Sequence, residues 1–293
     1  MLPTLETPVA ANVLAVELGL AYEGPELGIT GVSALSSARA GTLTFATKGA
    51  PDALPHGVCV ITSTDLPASH RSTTGLVRAT NPRLAFVKAL LALERLGRFT
   101  RPAEPARIHP SAHVSSGVAI GKNVVIGEGT TIEPNVTIHD NSVIGRDCLI
   151  KASCVIGGVG FGFERDDDGT PLRMLHFGGV EIGDRVEVGS STTVCRGTLG
   201  PTIVEDDAKI DDHVHVAHNV RIGRKSLVIA CAELSGGVVL GEGVWVGPNA
   251  SVLEKVKIGD HAFVGLGAVV LRDVAPGVTV VGNPARVLER KPR

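Results

Sequence analysis

Large aromatic rings are scarce in this chain, with one Trp, one Tyr and seven Phe among 293 residues. A conventional sandwich or α/β core draws much of its buried area from such rings, so the composition argues against one. No uninterrupted apolar run approaches the roughly 20 residues of a membrane-spanning helix. No basic segment followed by an apolar one opens the chain, so no signal peptide is expected. The five cysteines (Cys59, Cys148, Cys154, Cys195, Cys231) form no CxxC pair and are odd in number. They are read as reduced thiols, and the expected compartment is the cytoplasm. A net charge of −2 offers no basic surface for nucleic acid. Gly, by contrast, is plentiful at 36 residues, and together with many Val and Ile it suggests short strands with tight corners.

Residues 1–105 read as a mixed α/β domain. Thr7-Pro8 ahead of Val9, Val13, Leu14, Val16 and Leu18 suggests a capped amphipathic helix with Pro at its first position. Ile29 to Phe45 and Gly57 to Ile61 suggest short strands separated by turns. Asn81-Pro82 opens a second helix, from Leu84 to about Leu96, and Gly97 ends it. Arg101-Pro102-Ala103-Glu104-Pro105 has the composition of a linker.

From there the period becomes six. Val114, Ile120, Ile126, Ile132, Ile138, Ile144, Ile150 and Ile156 recur without a slip, and Ile182, Val188 and Val194 continue the pattern after a break. After a shift of four residues it resumes at Val204 and runs through Val216, Ile222 and Leu234 to Val270. Period six is neither helical nor that of a simple strand. It fits a prism with one inward aliphatic residue per side and 18 residues per coil. The expected fold is therefore a parallel β-helix over residues 106–275, with residues 276–293 as a closing strand and tail. The interrupting stretch from Phe161 to Gly179 is either a surface loop or a reach over a neighbouring subunit's cleft. Asp166-Asp167-Asp168 within it reads as a solvated turn.

The chemistry concentrates in His213-Val214-His215-Val216-Ala217-His218-Asn219. His218 follows an inward Val216 by two residues, near a corner where side chains point out. A neutral imidazole near pH 7 can take a proton from an attacking amine or hydroxyl. Asp211, seven residues earlier, is a candidate to orient the ring. Gly236, one coil later, can bring a bare backbone N–H to a reacting carbonyl. Base, orienting acid and backbone donor together fit acyl transfer. A zinc lyase of the γ-carbonic anhydrase type is the competing reading. Such a site needs a further His about two coils from His218, and Ile182 stands near that place, so no metal ligands are assigned. Cys195 has no base beside it in sequence and reads as packing.

Several motifs resemble the UDP-3-O-(3-hydroxyacyl)glucosamine N-acyltransferases of lipid A synthesis. They are Ile29-Thr30-Gly31-Val32, Gly41 to Phe45, Asn81-Pro82-Arg83 with Phe86, Ile156 through Phe163, Ile182 through Gly189, Arg196-Gly197, Asp211, and Ala217-His218-Asn219-Val220. The resemblance implies a left-handed helix, a homotrimer with active sites between subunits, and a nucleotide-sugar acceptor. It makes His218 the general base, Asp211 its support and Gly236 the oxyanion donor. The expected substrate contacts are Phe45, Phe161, His215, Asn219 and Lys255. The chain departs from the family where Lys255 replaces a second His, where Lys48 and Pro51 replace the uracil-contacting Asn and Tyr, and where little room remains for a C-terminal helical extension that docks acyl carrier protein. From Leu234 onward, and in Val280-Val281-Gly282-Asn283-Pro284-Ala285-Arg286, the chain looks more like sugar acetyltransferases that use acetyl-CoA. There Arg286 and Arg290 are candidates for the cofactor's phosphates. The donor is thus an acyl carrier protein thioester or acetyl-CoA, with no bound cofactor expected.

Overall fold

The computed structural model describes residues 3–48, 54–100 and 103–288. The chain divides into two compact units. One comprises 1–102 with 162–177, and the other 103–161 with 178–293. The interrupting stretch therefore goes with the first unit, although its place in the sequence had set it inside the repeat domain.

The first unit holds a seven-stranded mixed sheet. Its strands are β1 (Thr4–Ala10), β2 (Ala21–Glu23), β3 (Gly28–Val32), β4 (Thr42–Ala46), β5 (Cys59–Thr62), β6 (Gly75–Arg78) and β7 (Phe99–Thr100), in the order β2-β6-β5-β4-β3-β1-β7. The first helix corrects the sequence reading. Thr7 and Pro8 lie in β1, and α1 (Ala11–Glu17) starts after Ala10 with no side-chain cap. Leu14 is buried, whereas Val13 and Val16 face solvent. Pairing of Thr4–Ala10 with β3 and β7 takes the backbone groups that a helix would have used. The second helix, α2 (Pro82–Gly97), forms as expected. Asn81 Oδ1 accepts from the Leu84 N–H at 3.1 Å, Pro82 sits in the first turn, and Phe86, Leu90 and Leu93 are fully buried. Arg101 and Pro102 of the linker lie outside the described residues.

Residues Phe163–Arg165 and Pro171–Arg173 form an antiparallel hairpin that packs on α2. Arg83 pairs with Glu164 at 2.7 Å and Lys88 with Asp166 at 2.5 Å. The Lys88 ammonium holds the Asp166 carboxyl below the usual carboxylate range. At the hairpin tip the Gly169 N–H donates to Asp166 O and the Thr170 N–H to Asp168 Oδ1. The acidic triplet is thus a turn held by its own backbone donors and by Lys88.

The second unit is the parallel β-helix. Three sheets form its faces, with eight, eight and ten strands among the described residues. Face one includes Ala119–Ile120, His215–Val216 and Glu233–Leu234. Face two includes Arg107–Ile108, Arg221–Ile222 and Val239–Leu240. Face three includes His113–Val114, Lys209–Ile210 and Leu227–Val228. Successive coils pair in parallel, as Thr131 with Leu149 and Arg221 with Val239, and only the final Arg286–Val287 strand is antiparallel among the described residues of this unit. The period-six residues from Ile126 to Val270 point inward and are buried, while Val114 and Ile120 in the first coil are half-buried. Each buried Ile, Leu or Val contributes about 1.5–3 kcal/mol of transfer free energy, which offsets the cost of ordering so many corners.

A second inward position, four residues after the first, completes the core. It holds small residues such as Ala208, Val214, Val220 and Ala232, all buried. Hydroxyls occur there too, and each is paired. Thr130 Oγ1 donates to Gly145 O and accepts from the Cys148 N–H, and Ser226 Oγ likewise serves Gly241 O and the Val244 N–H. The residue before each such position turns the corner with positive φ, as do Asn123, Asn141, Asp207, His213, Asn219 and Lys255. Asn and Asp recur there because they tolerate the left-handed region.

Candidate active site

The inward positions place every outward residue on a known edge. His213 turns the corner between faces three and one, His215 projects from face one, and His218 lies on the corner between faces one and two. The three histidines that adjoin in sequence are thus spread along one side of the prism.

Both interruptions of the repeat fall on the His218 corner. The chain leaves after Val155–Gly158 of face one and returns at Val180–Ile182 of face two. It bulges again between Thr193–Cys195 and Thr202–Val204, which is where the shift of four residues lies. The roots of these inserts are rich in glycine and closely packed. The Gly178 N–H donates to Gly197 O at 3.0 Å, and a Cβ at Gly197 would lie 1.8 Å from Gly200 O. Only glycine lets these backbones approach so closely. Arg196 is folded back and buried, donating from Nε to Gly157 O at 2.7 Å and from Nη2 to Asp140 O at 3.3 Å. Burial lowers its otherwise very basic guanidinium somewhat.

His218 is half-buried and held through its backbone. The Gly237 N–H donates to its carbonyl at 2.9 Å, and the next residue's N–H donates to Thr202 Oγ1 at 2.9 Å. The ring lies across Gly236, one coil above. A Cβ on Gly236 would meet His218 Cε1 at 2.7 Å and Nε2 at 2.9 Å. Gly236 is therefore first the space into which the imidazole fits. Among the described residues its N–H makes no backbone hydrogen bond, which suits it to an incoming oxyanion.

His218 Nδ1 lies 3.1 Å from Asn219 Oδ1. The orienting group expected from the sequence is Asp211. Asp211 lies instead on the corner between faces three and one, and its carboxylate accepts from the Asp212 N–H at 2.8 Å and the Ala230 N–H at 3.1 Å. The repeat phase contained the signal. Asp211 follows the inward Ile210, His218 follows the inward Val216, and successive inward residues lie on successive faces. Asn219, expected to touch substrate, spends its side chain inside the chain. Its Oδ1 also accepts from the Thr198 N–H at 3.1 Å and hydroxyl at 2.9 Å, and its Nδ2 donates to Gly200 O at 3.3 Å.

The other expected contacts are placed as follows. His215 is exposed on face one, its Nδ1 2.7 Å from Thr193 Oγ1. Above it Glu233 accepts from Ser235 Oγ at 2.9 Å. Lys255 is exposed on the His218 corner two coils up, beside Gly237 and paired with Glu254. Phe161 is 87% exposed at the root of the long insert. Phe45, in the first unit, is half-buried and stacks on Phe86 with centroids 4.7 Å apart, so one of its faces is occupied. Lys48 is exposed, and Pro51 and Arg290 lie outside the described residues. Arg286 is exposed on Arg286–Val287, which pairs with Thr279–Val281 at the end of face three. The thiol of Cys195 is pushed up by burial, the reverse of what a nucleophile needs. Among the described residues, no group of three or more His, Cys, Asp and Glu side chains converges as a metal site.

Comparisons with known proteins agree with this architecture. The family model described as bacterial transferase hexapeptide (six repeats) matches residues 123–158 and 237–272. A protein of Caulobacter sp. (strain K31) named UDP-3-O-acylglucosamine N-acyltransferase is 40% identical over 136 residues, covering 46% of this chain and 40% of that protein. Its namesake in Chlorobium chlorochromatii (strain CaD3) is 48% identical over 86 residues, covering 29% of this chain and 24% of that one. The chain thus spans well under half the length of these curated relatives. Among solved structures, the UDP-N-acetylglucosamine acyltransferase of Francisella novicida superposes with a TM-score of 0.53 at 30% identity, over 62% of this chain and 67% of that one. The six-residue repeat, the three-faced parallel coil and these matches agree, and the chain belongs to the hexapeptide-repeat acyltransferases.

Proposed function

We propose that this protein transfers an acyl group from a thioester to the amino group of a nucleotide-activated amino sugar. The observation that carries this reading is the His218 corner. It combines an imidazole paired at Nδ1, a glycine under the ring, and an edge on which both interruptions of the otherwise uniform repeat are rooted. In the reaction the sugar nitrogen attacks the thioester carbonyl and His218 Nε2 takes the nitrogen's proton. The tetrahedral oxyanion is met by the Gly236 N–H. The C–S bond then breaks, the acyl group stays on nitrogen, and the thiolate recovers the proton from the imidazolium. Names of the relatives support the nucleotide-sugar acceptor, since the Caulobacter and Chlorobium proteins are named for UDP-3-O-acylglucosamine.

The working form in this reading is a homotrimer. Within one chain Asp211 serves another corner than His218. Packing three prisms side by side would bring the Asp211 corner of one copy to the His218 corner of the next, with His215 and Lys255 lining the cleft. The donor is an acyl carrier protein thioester, as the resemblance implies. Acetyl-CoA is a second reading, favoured by the Thr279–Val281 and Arg286–Val287 strand pair, which presents Arg286 at the end of the helix. The setting is cytoplasmic in this reading, and no described helix is long and apolar enough to cross a membrane.

A donor competition tests the proposal. Acetyl-CoA and 3-hydroxyacyl carrier protein are offered together with UDP- and dTDP-amino sugars, and the acylated sugar is identified by mass. Acylated UDP-sugar from the carrier protein supports the first reading, and acetylated sugar the second. Failure of both donors, with zinc bound in stoichiometric amount by elemental analysis, would replace acyl transfer with the lyase reading.

A further inference from the structure

We propose that Asn219 is a positioning residue that holds His218 in the tautomer whose basic nitrogen is Nε2, with the bulge at Thr198–Gly200 fixing which way the amide points. This deepens the proposed function and takes from it the role of His218 as base.

An amide side chain can present oxygen or nitrogen toward a neighbour, and coordinates alone do not distinguish the two. Here two backbone groups distinguish them. The Thr198 N–H can only donate, and it points at one end of the Asn219 amide at 3.1 Å. The Gly200 carbonyl can only accept, and it faces the other end at 3.3 Å. The end near Thr198 is therefore the oxygen. The same oxygen lies 3.1 Å from His218 Nδ1. Two lone pairs at that distance would repel, so Nδ1 carries the hydrogen and donates. A neutral imidazole has one N–H and one lone pair, so the lone pair is on Nε2. Nε2 is one of the two ring atoms that lie nearest the Gly236 Cβ direction, so it faces the residue whose N–H is the proposed oxyanion donor.

The local chain explains why this residue can do it. Asn219 is the left-handed corner residue, with φ 61°, a conformation that Asn tolerates well. Its side chain turns toward the coil below, where the bulge supplies Thr198 and Gly200. An ordinary corner one coil down would have no such loop. The four-residue shift in the repeat thus provides the amide's socket. In hydrolases with a Ser-His-Asp triad a carboxylate sets the tautomer. Here a neutral amide serves, oriented by the backbone.

The test is nitrogen-15 NMR of the full-length protein labelled at histidine, with the His218 signals assigned by their loss in His218→Gln. In the wild type, at a pH where the ring is neutral, Nδ1 is expected to be protonated and Nε2 bare. Asn219→Leu removes the acceptor, and the His218 signals should move toward the Nε2–H form. Asn219→Asp, which keeps an oxygen toward Nδ1, should retain the wild-type tautomer, and it serves if the Leu variant does not fold. A wild-type ring protonated at Nε2, or a tautomer unaltered by Asn219→Leu in a folded protein, overturns the proposal. In the acylation assay, Asn219→Leu should lower kcat by about 10- to 100-fold, a part of what a positioned base supplies, with KM within about twofold. If the NMR result holds and kcat does not change, the tautomer assignment stands and the role of His218 as base fails.

Discussion

Gly236 matters to His218 as empty space before it matters as a hydrogen-bond donor. A methyl group there would fall 2.7 Å from the ring's Cε1, closer than van der Waals contact allows, and the backbone it hangs from is pinned by the coil above through the Lys255 N–H to Gly236 O. The imidazole is the part that must give. Gly236→Ala should therefore lower kcat by about 10²-fold, the usual consequence of moving a reacting group by roughly 1 Å. Its melting temperature should stay close to that of the wild type. Wild-type turnover in Gly236→Ala would show that the ring position seen here is not the working one. Two thiols give a second prediction at this scale. Burial pushes the Cys59 thiol up to about 12 and that of Cys154 up to about 11, whereas an unfolded thiol titrates near about 8.5. The folded state thus holds these protons more tightly. Stability from this source is complete below about pH 8.5 and falls as pH rises toward the folded values. The midpoint of urea unfolding should decline between pH 8 and 10.5, and less steeply in Cys154→Ala.

At the scale of the element, a coil is stabilised by its inward aliphatic residue and by the small residue four places on. Ile150 is fully buried, and Ile150→Ala should cost about 2–5 kcal/mol, as large-to-small changes in packed cores do, measured as a drop in unfolding midpoint. This level of structure was the most legible in the sequence. A side chain that must point inward once per side leaves a period of six, and Ile126 through Val270 all obey it. The elements that were misread failed for a physical reason. Pro8 sits at a position that suits a helix start, yet its neighbours pair with β3 and β7, and pairing outweighs a local preference. Within one chain Asp211 stands apart from His218, because a separation of seven residues spans a whole side of the prism. In a prism those residues occupy different corners. Asn219 was visible as the residue after the His, but its partners Thr198 and Gly200 come from a bulge whose shape no periodicity describes.

At the scale of the molecule, the regular helix and the placement of the bulge are complementary. Strand after strand repeats one geometry, and both departures from it share the edge that carries His218. Uniform coils make that edge rigid, and the inserts make it local. The fold class and the edge were readable from residue types and spacing, whereas residue spacing by itself records no interface between copies. If Asp211 of one copy serves His218 of another, two inactive proteins should repair each other. Co-expressed Asp211→Asn and His218→Ala chains should recover a fraction of wild-type activity through mixed assemblies with one intact corner. No recovery, with mixed trimers confirmed by native mass spectrometry, would place all the catalytic groups within one chain.

In the proposed reaction His218 is the base for acyl transfer to a sugar amine. The most direct test of this role is the single-turnover rate of thioester-dependent acylation of a UDP-amino sugar by His218→Ala, measured beside the wild type on protein with an unaltered unfolding midpoint. The rate should fall by about 10²–10⁴-fold, the range a positioned general base supplies. A rate near that of the wild type would contradict this role.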